Sequence, residues 1–399
     1  MQFKKPLLIV AIVLLCANAR AESMLDTGKA YTLNTANMTV LQGSVEQTDR
    51  HIVCDTSALA DRQPALGVSP TTGLPIDTAV RHLPVMVQIS NAAGLAKGVT
   101  GRTIKAAGLG KAAPWGAQYA DIIYESVLFQ AGQTRYAFLF YDELTGKQPI
   151  HTGPVRSGRI GSMLLSRAWG GGYVYAGMAD AEKKYIAQLG TSDRSDVFDL
   201  HQDRYHELKA RIRGVKAPDN YDVNVSGFEQ IALERLAPAI DGFRFTDQCP
   251  YGADFCSATR VWLDWGNQAY VSGFLYDAET GCYQRYCGDK GGALWLSFAS
   301  TEDREPAHMQ PLSFRNVIVQ RVEYTYLNDN KLLPRIESVG AGNADIFING
   351  RYIAGYWVCE GVDCPTAFFD DQGQELLLNR GKTYIAQLSP LRLLAFAEE

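Results

Sequence analysis

Apolar and polar positions alternate along most of the chain, and the period of this pattern changes from one part to the next. Between residues 84 and 240, runs dense in β-branched and aromatic residues alternate with stretches whose apolar residues recur at helical spacing. This alternation predicts strands and helices that follow one another. The predicted strands are 84–90, 120–128, 135–141 and 172–176.

Three helices are predicted in the same part of the chain. A second helix is predicted over 179–189, and Ser226 with Glu229 has the spacing of a capping box, which predicts that a third helix begins there. The first helix follows the turn at 153–157 and rests on four apolar residues at helical spacing: Ile160, Met163, Leu164 and Ala168.

The helical period disappears after about residue 245. The remaining apolar runs are short, aromatic and separated by turn residues, which predicts a mostly β second domain with a boundary near 245–258. The domains are therefore placed at 81–245 and 255–395. The predicted strand regions of the second domain are 261–265, 270–276, 293–298, 316–326, 352–358 and 376–378.

The first 80 residues are predicted to lie outside these domains. Lys4 and Lys5 precede an apolar run, and a small-x-small site ends at Ala21, so residues 1–21 are predicted to be a secretory signal peptide. Residues 22–80 are polar and rich in Thr, Gly and Pro, which predicts an extended arm or linker. An uncleaved anchor or a lipid anchor on Cys16 stays open as an alternative. The protein is expected to be exported, extracellular or cell-envelope associated, and to meet the membrane only through the signal peptide or a lipid anchor.

Composition excludes some classes of protein. The 399 residues are 46% hydrophobic and 20% charged, which argues against a disordered chain, and the formal net charge of -5 argues against a nucleic-acid partner. The chain has no Gly-x-Ser-x-Gly elbow, no His-Glu-x-x-His, no phosphate-binding glycine loop and no dinucleotide fingerprint. No cofactor and no metal are therefore expected.

Six cysteines form three close pairs in the sequence. In an oxidising compartment these pairs predict three local disulfides, and Cys54 is left without an obvious partner. A zinc site from the last four of the six is the alternative. The predicted disulfides are Cys249–Cys256, Cys282–Cys287 and Cys359–Cys364.

Several ordered stretches form a specific set of motifs, above all Gly-Pro-Val-Arg-Ser-Gly-Arg at 153–159. The other N-terminal stretches are 84–91, 120–125 with Thr134-Arg135, and 217–221, and the C-terminal ones are Tyr356-Trp357 and 378–384. Together they resemble the YerB-like family of bacterial cell-envelope proteins, which carries a domain of unknown function, number 3048. The resemblance spans about residues 80 to 390. It implies an α+β protein in which an N-terminal layered α/β sandwich domain precedes a mostly β C-terminal domain.

The family resemblance also implies an exported protein, in most members a lipoprotein, without an established activity. This chain departs from the family pattern at three positions where chemistry would matter. Tyr175 and Asp219 stand where the family usually or often has His, and Gln130 stands where an acidic residue is common. These departures argue against a shared His-dependent reaction.

The matching residues point to a candidate ligand-binding site in the N-terminal part. Arg135, Arg156 and Arg159 around Ser157, at a helix N-terminus, would suit a carboxylate or phosphate. We expect the predicted residues to converge, because sheets of this kind gather functional side chains at strand ends. The alternative is a structural ion pair between Arg156 and Glu125. The other candidate ligand-binding residues are Asn91, Tyr124, Glu125, Thr134, Tyr175, Asp219 and Asn220.

Three classes of function remain open. The first is an exported protein of the cell envelope that binds an anionic small molecule, a wall component or a protein partner. The second is an envelope hydrolase that uses Glu125 with Asp121 or Asp219 as a carboxylate pair. The third is a purely structural scaffold. Four tryptophans of the second domain would suit polysaccharide or protein contact if exposed, or core packing if buried: Trp262, Trp265, Trp295 and Trp357.

Overall fold

The structure is a computed structural model of the chain. It describes residues 38–41, 44–47, 52–54, 66–77, 81–91, 111–146, 148–188, 196–212, 215, 217–236, 242–287, 292–298, 308–326, 333–362 and 364–397. The predicted signal peptide and Cys16 lie outside these residues. Among the described helices, none has the length and apolar character needed to cross a membrane.

The described elements are mostly strands. The α-helices are α1 (Ile160–Ala168), α2 (Asp180–Gln188) and α3 (Val225–Leu233). Short 3-10 helices cover Ala117–Tyr119, Asp142–Thr145, Asp203–Leu208 and Gln268–Tyr270. The strands are β1 (Met38–Leu41), β2 (Ser44–Gln47), β3 (Ile52–Val53), β4 (Val85–Ile89), β5 (Lys111–Ala112), β6 (Ile122–Val127), β7 (Thr134–Phe140), β8 (His151–Thr152), β9 (Gly172–Tyr175), β10 (Val197–Asp199), β11 (Lys209–Arg211), β12 (Tyr221–Asn224), β13 (Arg244–Thr246), β14 (Cys256–Ser257), β15 (Arg260–Leu263), β16 (Ser272–Asp277), β17 (Cys282–Cys287), β18 (Ala293–Ser297), β19 (Gln310–Pro311), β20 (Ser313–Phe314), β21 (Asn316–Arg321), β22 (Glu323–Tyr326), β23 (Pro334–Glu337), β24 (Gly340–Ile348), β25 (Arg351–Cys359), β26 (Ala367–Phe369), β27 (Leu377–Asn379), β28 (Thr383–Leu388) and β29 (Leu394–Ala397).

One mixed sheet runs through both parts of the chain. Its strand order is β10-β9-β4-β7-β6-β28-β21-β24-β25-β14, with β26 paired to β25. The two parts meet where β6 pairs in parallel with β28, in a register that sets Tyr124 opposite Ile385. The protein is therefore mostly β, with few helices and mixed sheets. A separate layered α/β domain in the N-terminal part is not confirmed, because its strands continue into those of the C-terminal part.

Alternate side chains of the main sheet point to opposite faces, and each face packs into its own hydrophobic core. Ile123 and Phe138 belong to one core, which also holds Phe228 of α3, whereas Ile122 belongs to the other, with Met163 of α1. The period-two pattern of the predicted strands thus becomes two buried faces. A second sheet, in the order β19-β18-β17-β16-β15-β29, packs on the first core. It also takes in β5, which pairs with β18.

The start of α3 differs from the sequence prediction. Asn224 is the residue that caps the helix, because its Oδ1 accepts a hydrogen bond from the backbone N–H of Gly227 at 3.0 Å. Ser226 instead accepts a hydrogen bond from the N–H of Ile150, and buried Glu229 accepts one from Leu83 N–H. Both predicted capping-box residues therefore hydrogen-bond to residues distant in sequence and not to the first turn of the helix, so the predicted capping box was wrong.

Part of the predicted arm is docked on the sheet. Ser69, Thr71 and Thr72 are buried, and the hydroxyl of Thr71 donates to Asp121 Oδ2 at 2.9 Å. Thr72 donates to Asp142 Oδ2 at 2.5 Å. Residues 66–77 are therefore not a free linker, because their polar side chains bind the carboxyl groups of buried Asp121 and half-buried Asp142.

None of the three predicted disulfides is present among the described residues. Cys249, Cys282, Cys287, Cys359 and Cys364 have free thiols, and so does buried Cys54. Cys282 and Cys287 occupy the two ends of β17, where an odd spacing turns them to opposite faces and sets them roughly 17 Å apart, too far for a bond. The same strand separates the ligands of the alternative zinc site, and the described residues contain no cluster of metal-ligating groups.

Most of the tryptophans proposed for surface contact are core residues. Trp265, Trp295 and Trp357 are buried, and the Nε1–H of Trp265 donates to Ser272 Oγ at 2.9 Å. Trp262, on the outer face of β15, is half-buried. Core packing therefore accounts for three of the four.

Candidate anion site

A cavity of about 600 Å³ opens at one edge of the main sheet. The C-terminal ends of β4 and β9 and the N-terminal end of β7 meet there, because β7 is antiparallel to β4 and β9 is parallel to it. We call this cavity the arginine pocket. Its polar lining includes six of the predicted residues: Asn91, Thr134, Arg135, Arg156, Ser157 and Arg159.

The segment that carries two of the arginines is fixed by backbone hydrogen bonds. Arg156 donates its N–H to Gln88 O at 2.9 Å, and its carbonyl accepts from Ala176 N–H at 2.9 Å. Gly158 donates its N–H to Gly177 O at 2.8 Å. The segment between β8 and α1 therefore bridges the ends of β4 and β9, which holds the guanidinium groups at the cavity before any ligand arrives.

Arg135 is the most deeply buried of the three arginines. It is 5% exposed, and its Nη1 donates to Ser157 O at 3.2 Å. Burial lowers the pKa of Arg135 well below its usual value, and the positive charges of Arg159 and Arg156 lower it further. Among the described residues, no carboxylate lies within ion-pair distance of Arg135, and its Nε has no hydrogen-bond partner. Within the described part of the chain, Arg135 is thus a buried cation without a direct counter-charge.

Arg156 pairs with Asp219 rather than with Glu125. Its Nη1 lies 3.1 Å from Asp219 Oδ1, and both side chains are about one-quarter exposed. Asp219 Oδ1 also accepts a hydrogen bond from Ser90 Oγ at 2.8 Å. The predicted alternative of an Arg156–Glu125 ion pair was therefore wrong, because Glu125 points away from the pocket into the core.

Arg159 has a buried acidic partner. Its Nη1 lies 3.1 Å from Glu182 Oε2 and donates to Gly158 O at 2.8 Å. Burial raises the pKa of Glu182, while Arg159 and the backbone N–H groups of Ile160 and Ala179 lower it. Glu182 therefore occupies the N-terminus of α1, which the sequence predicts to be open to a ligand.

Glu125 belongs to a closed network beside the pocket. It is 0% exposed, and its Oε2 lies 3.3 Å from Arg285 Nη2 and accepts a hydrogen bond from Ser272 at 2.6 Å. Its Oε1 accepts from Thr134 Oγ1 at 2.6 Å. Asn91 Nδ2 donates to Thr134 Oγ1 at 2.6 Å, so the pocket lining is hydrogen-bonded to this network.

Besides Glu125 and Asp219, three more predicted site residues lie outside the lining. The hydroxyl of Tyr124 accepts a hydrogen bond from Trp169 on the other face of the sheet. Tyr175 is buried and stacks on Tyr173, with ring centroids 5.3 Å apart. Asn220, next to Asp219, accepts from Arg211 at 2.8 Å.

The carboxylates proposed for hydrolysis do not share one cleft. Asp121 is buried and accepts hydrogen bonds from Thr71 and from the N–H groups of Tyr141 and Asp142. Glu125 faces Arg285 in the core, and Asp219 faces Arg156 at the pocket. Each carboxylate has its own partners, which does not match the facing pair that glycoside hydrolysis uses.

Several further pocket residues were not predicted from the sequence. They lie on α2, at and after the end of β10, in the 3-10 helix Gln268–Tyr270 and before β23, and no motif marks them. A basic residue in α2 was the only visible signal. They are Lys183, Asp199, His201, Tyr270 and Leu333.

Fold and pocket define a mostly β protein whose mixed sheet carries a cluster of arginines at one edge. The N-terminal domain model of the DUF3048 proteins, described as proteins of unknown function, matches residues 109–237, and the C-terminal domain model matches residues 261–385. The chain belongs to this family. The predicted boundary near 245–258 falls between the two matches.

A solved structure shares the fold. The crystal structure of YerB protein from Bacillus subtilis is similar over 82% of this chain and 99% of that chain, with a TM-score of 0.61 and 20% identity. No curated protein matches the chain. The resemblance to the YerB-like family is thereby confirmed.

Proposed function

We propose that this protein binds a small anionic molecule in the arginine pocket. The observation that carries the proposal is Arg135, a guanidinium that is 5% exposed, lines the pocket and has no carboxylate within ion-pair distance among the described residues. A buried charge without a partner destabilises a fold. An anion bound beside Arg135 would supply that partner.

The surroundings of Arg135 support an anion more than a cation or a neutral ligand. Arg156, Arg159 and Lys183 line the same cavity, and Asp199 is the acidic residue of the described lining. The Oδ1 of Asp199 is engaged by the N–H groups of Gly177 and His201 at 2.8 and 3.0 Å. Forked guanidinium donors in a partly enclosed space suit oxyanions.

We also propose that the protein works outside the cytoplasm. The supporting observation is the sequence of residues 1–21, with two lysines, an apolar run and a small-x-small site. N-terminal sequencing of protein recovered from the cell envelope tests this part. A mature chain that begins near Glu22 is expected, and a chain that still begins at Met1 would contradict cleavage.

The binding proposal is tested by thermal unfolding of the full chain with a panel of anions. Inorganic phosphate, sulfate, acetate and benzoate are compared with chloride at equal ionic strength. An anion that binds the folded state raises the unfolding free energy by about 2.7 kcal/mol at 100 times Kd, so the melting temperature rises with its concentration. We expect at least one anion to do so in the unmodified protein.

The matched variants are Arg135→Gln and Arg244→Gln. Arg244 is half-exposed and pairs with Glu375 far from the pocket, so Arg244→Gln should keep the response to anions. Arg135→Gln should lose it. The proposal is overturned if no anion acts beyond chloride, or if both variants respond alike.

A further inference from the structure

We propose that the pocket ligand is a phosphate monoester, with its phosphate among the three arginines and its organic part against an apolar wall. This inference rests on the proposed anion-binding function and specifies the chemistry of the ligand. The apolar wall is lined by Leu128, Phe129, Met178, Tyr270 and Leu333.

The first argument is the number of guanidinium groups. Arg135, Arg156 and Arg159 are three separate side chains that line one cavity. Arg156 Nη1 is paired with Asp219 Oδ1 at 3.1 Å, whereas Arg135 Nε and Arg159 Nε have no hydrogen-bond partner among the described residues. A carboxylate has two oxygens, whereas a phosphate monoester presents three terminal oxygens, so it can accept from all three side chains at once.

The second argument is charge. Arg156 and Arg159 each have one acidic partner, Asp219 and Glu182, at 3.1 Å. Arg135 has none within ion-pair distance among the described residues, and burial together with the other two arginines lowers its pKa. Lys183 also lines the cavity, and its Nζ is paired with Asp180 Oδ1 at 3.1 Å, so Arg135 is the cation without a direct carboxylate partner among these four. A phosphate monoester carries about -1.5 to -2 at neutral pH, so it can pair with Arg135 and still attract the two guanidinium groups beside it.

The third argument is size and polarity. A cavity of about 600 Å³ lies within the range of small-molecule sites, and an inorganic phosphate would fill only a small part of it. Leu128, Met178 and Leu333 are buried in the wall, and the rings of Phe129 and Tyr270 are partly exposed. Apolar surface at this place favours a ligand with an organic body next to the phosphate.

Titration calorimetry of the full chain tests the inference with three probes: phenyl phosphate, inorganic phosphate and benzoate. We expect phenyl phosphate to bind at least tenfold more tightly than benzoate, because only the phosphate has one terminal oxygen for each of the three guanidinium groups. We also expect it to bind more tightly than inorganic phosphate, because only the ester contacts the wall.

Two variants separate the two halves of the pocket. Arg159→Gln removes one donor and should reduce the preference for phenyl phosphate over benzoate several-fold. Phe129→Ala should weaken phenyl phosphate several-fold and leave inorganic phosphate unchanged. Trp262→Ala is the control for the aromatic variant, because Trp262 borders a different groove, and it should change neither affinity.

The outcomes distinguish this inference from the proposed function. Benzoate that binds as tightly as phenyl phosphate, and loses binding in Arg135→Gln, overturns the phosphate inference and leaves anion binding in place. Equal affinity for phenyl phosphate and inorganic phosphate in the unmodified protein overturns the role of the apolar wall. If none of the probes binds in a way that depends on Arg135, both proposals fail.

Discussion

Two buried arginines of this protein have opposite surroundings. Arg285 lies in the core between the two sheets and is 1% exposed, and Arg135 lies at the pocket and is 5% exposed. The pKa of Arg285 is raised, because neighbouring Tyr384, Tyr136 and Glu125 outweigh burial. The pKa of Arg135 is lowered, because burial and two neighbouring arginines dominate.

The partners explain the difference. Arg285 Nη2 contacts Glu125 at 3.3 Å and donates to Ser272 Oγ at 2.7 Å, and its guanidinium lies 5.1 Å from the centroid of the Phe274 ring. The Nε of Arg285 also lacks a hydrogen-bond partner, but it is enclosed in the core, whereas the Nε of Arg135 belongs to a side chain that lines a cavity.

The two arginines therefore represent two kinds of buried charge: that of Arg285 contributes to the stability of the fold, and that of Arg135 does not. The first is neutralised by partners within the chain, so removing it exposes the partner's charge to an apolar environment. The second has no direct counter-charge within the described chain, so its removal leaves nothing stranded. Stability measurements should therefore respond to the two arginines in opposite ways.

The largest effect is expected for Arg285→Met. Removing the guanidinium leaves Glu125 buried without a counter-charge, so unfolding free energy should fall by about 3–5 kcal/mol in urea titrations. Adding Glu125→Gln should recover part of the loss, because it removes the stranded charge. An unchanged urea midpoint for Arg285→Met would show that the Arg285–Glu125 pair does not stabilise the fold.

A pH effect is expected from Asp121, a buried carboxyl group. Burial, with a smaller contribution from Asp142, raises its pKa to about 8. The pKa of Asp121 is thus higher in the folded chain than in the unfolded chain. The carboxyl group therefore contributes fully to stability below about pH 4, and this contribution is lost as the pH rises through 8. Between about pH 4 and pH 8, the contribution of Asp121 to the unfolding free energy should fall by about 1.4 kcal/mol per pH unit.

Asp121→Asn tests this origin of the slope. The amide stays neutral, so unfolding free energy measured by urea titration between about pH 5 and pH 8 should vary less than in the unmodified protein. Asp180→Asn, at an exposed position, should keep the original slope. A slope that survives in Asp121→Asn would assign the pH dependence to another group.

A smaller effect is expected for Arg135→Met. The substitution removes a desolvated cation without stranding a carboxylate, so stability should stay the same or rise by about 1 kcal/mol in thermal and urea unfolding. Arg244→Met serves as the exposed control. A loss above about 2 kcal/mol would show that Arg135 has a structural partner comparable to that of Arg285.

The smallest stability effect is expected for Arg156→Ala. Its pair with Asp219 is about one-quarter exposed, so the loss should remain within about 1 kcal/mol, while affinity for a pocket anion should fall about tenfold. Circular-dichroism melts and titration calorimetry measure the two quantities. A large stability loss together with unchanged binding would show that Arg156 has a structural role and does not bind the anion.

Local pattern was sufficient for many of the elements. Alternating apolar residues placed β6, whose bounds Ile122–Val127 fall within the predicted 120–128, and helical spacing placed α1 and α2. These signals succeed because side-chain period is a local property of the backbone. The resemblance to the family rested on short motifs of the same local kind.

Local pattern failed where partners come from distant positions. Glu125 and Arg285 are 160 positions apart, and they meet only because β6 joins β28 while β16 and β17 close over the same core. The predicted Cys282–Cys287 bond was wrong for a related reason. Residues close in sequence lie far apart in space when they occupy the two ends of one extended strand.

The sequence by itself determined the strand and helix periods, the family motifs and the presence of three arginines near predicted strand ends. Only the tertiary structure decided which arginine receives a carboxylate: Glu125 to Arg285, Asp219 to Arg156 and Glu182 to Arg159. The physical reason is that ion pairing depends on distances of a few ångströms between side chains, and these distances follow from strand order and register rather than from any local pattern.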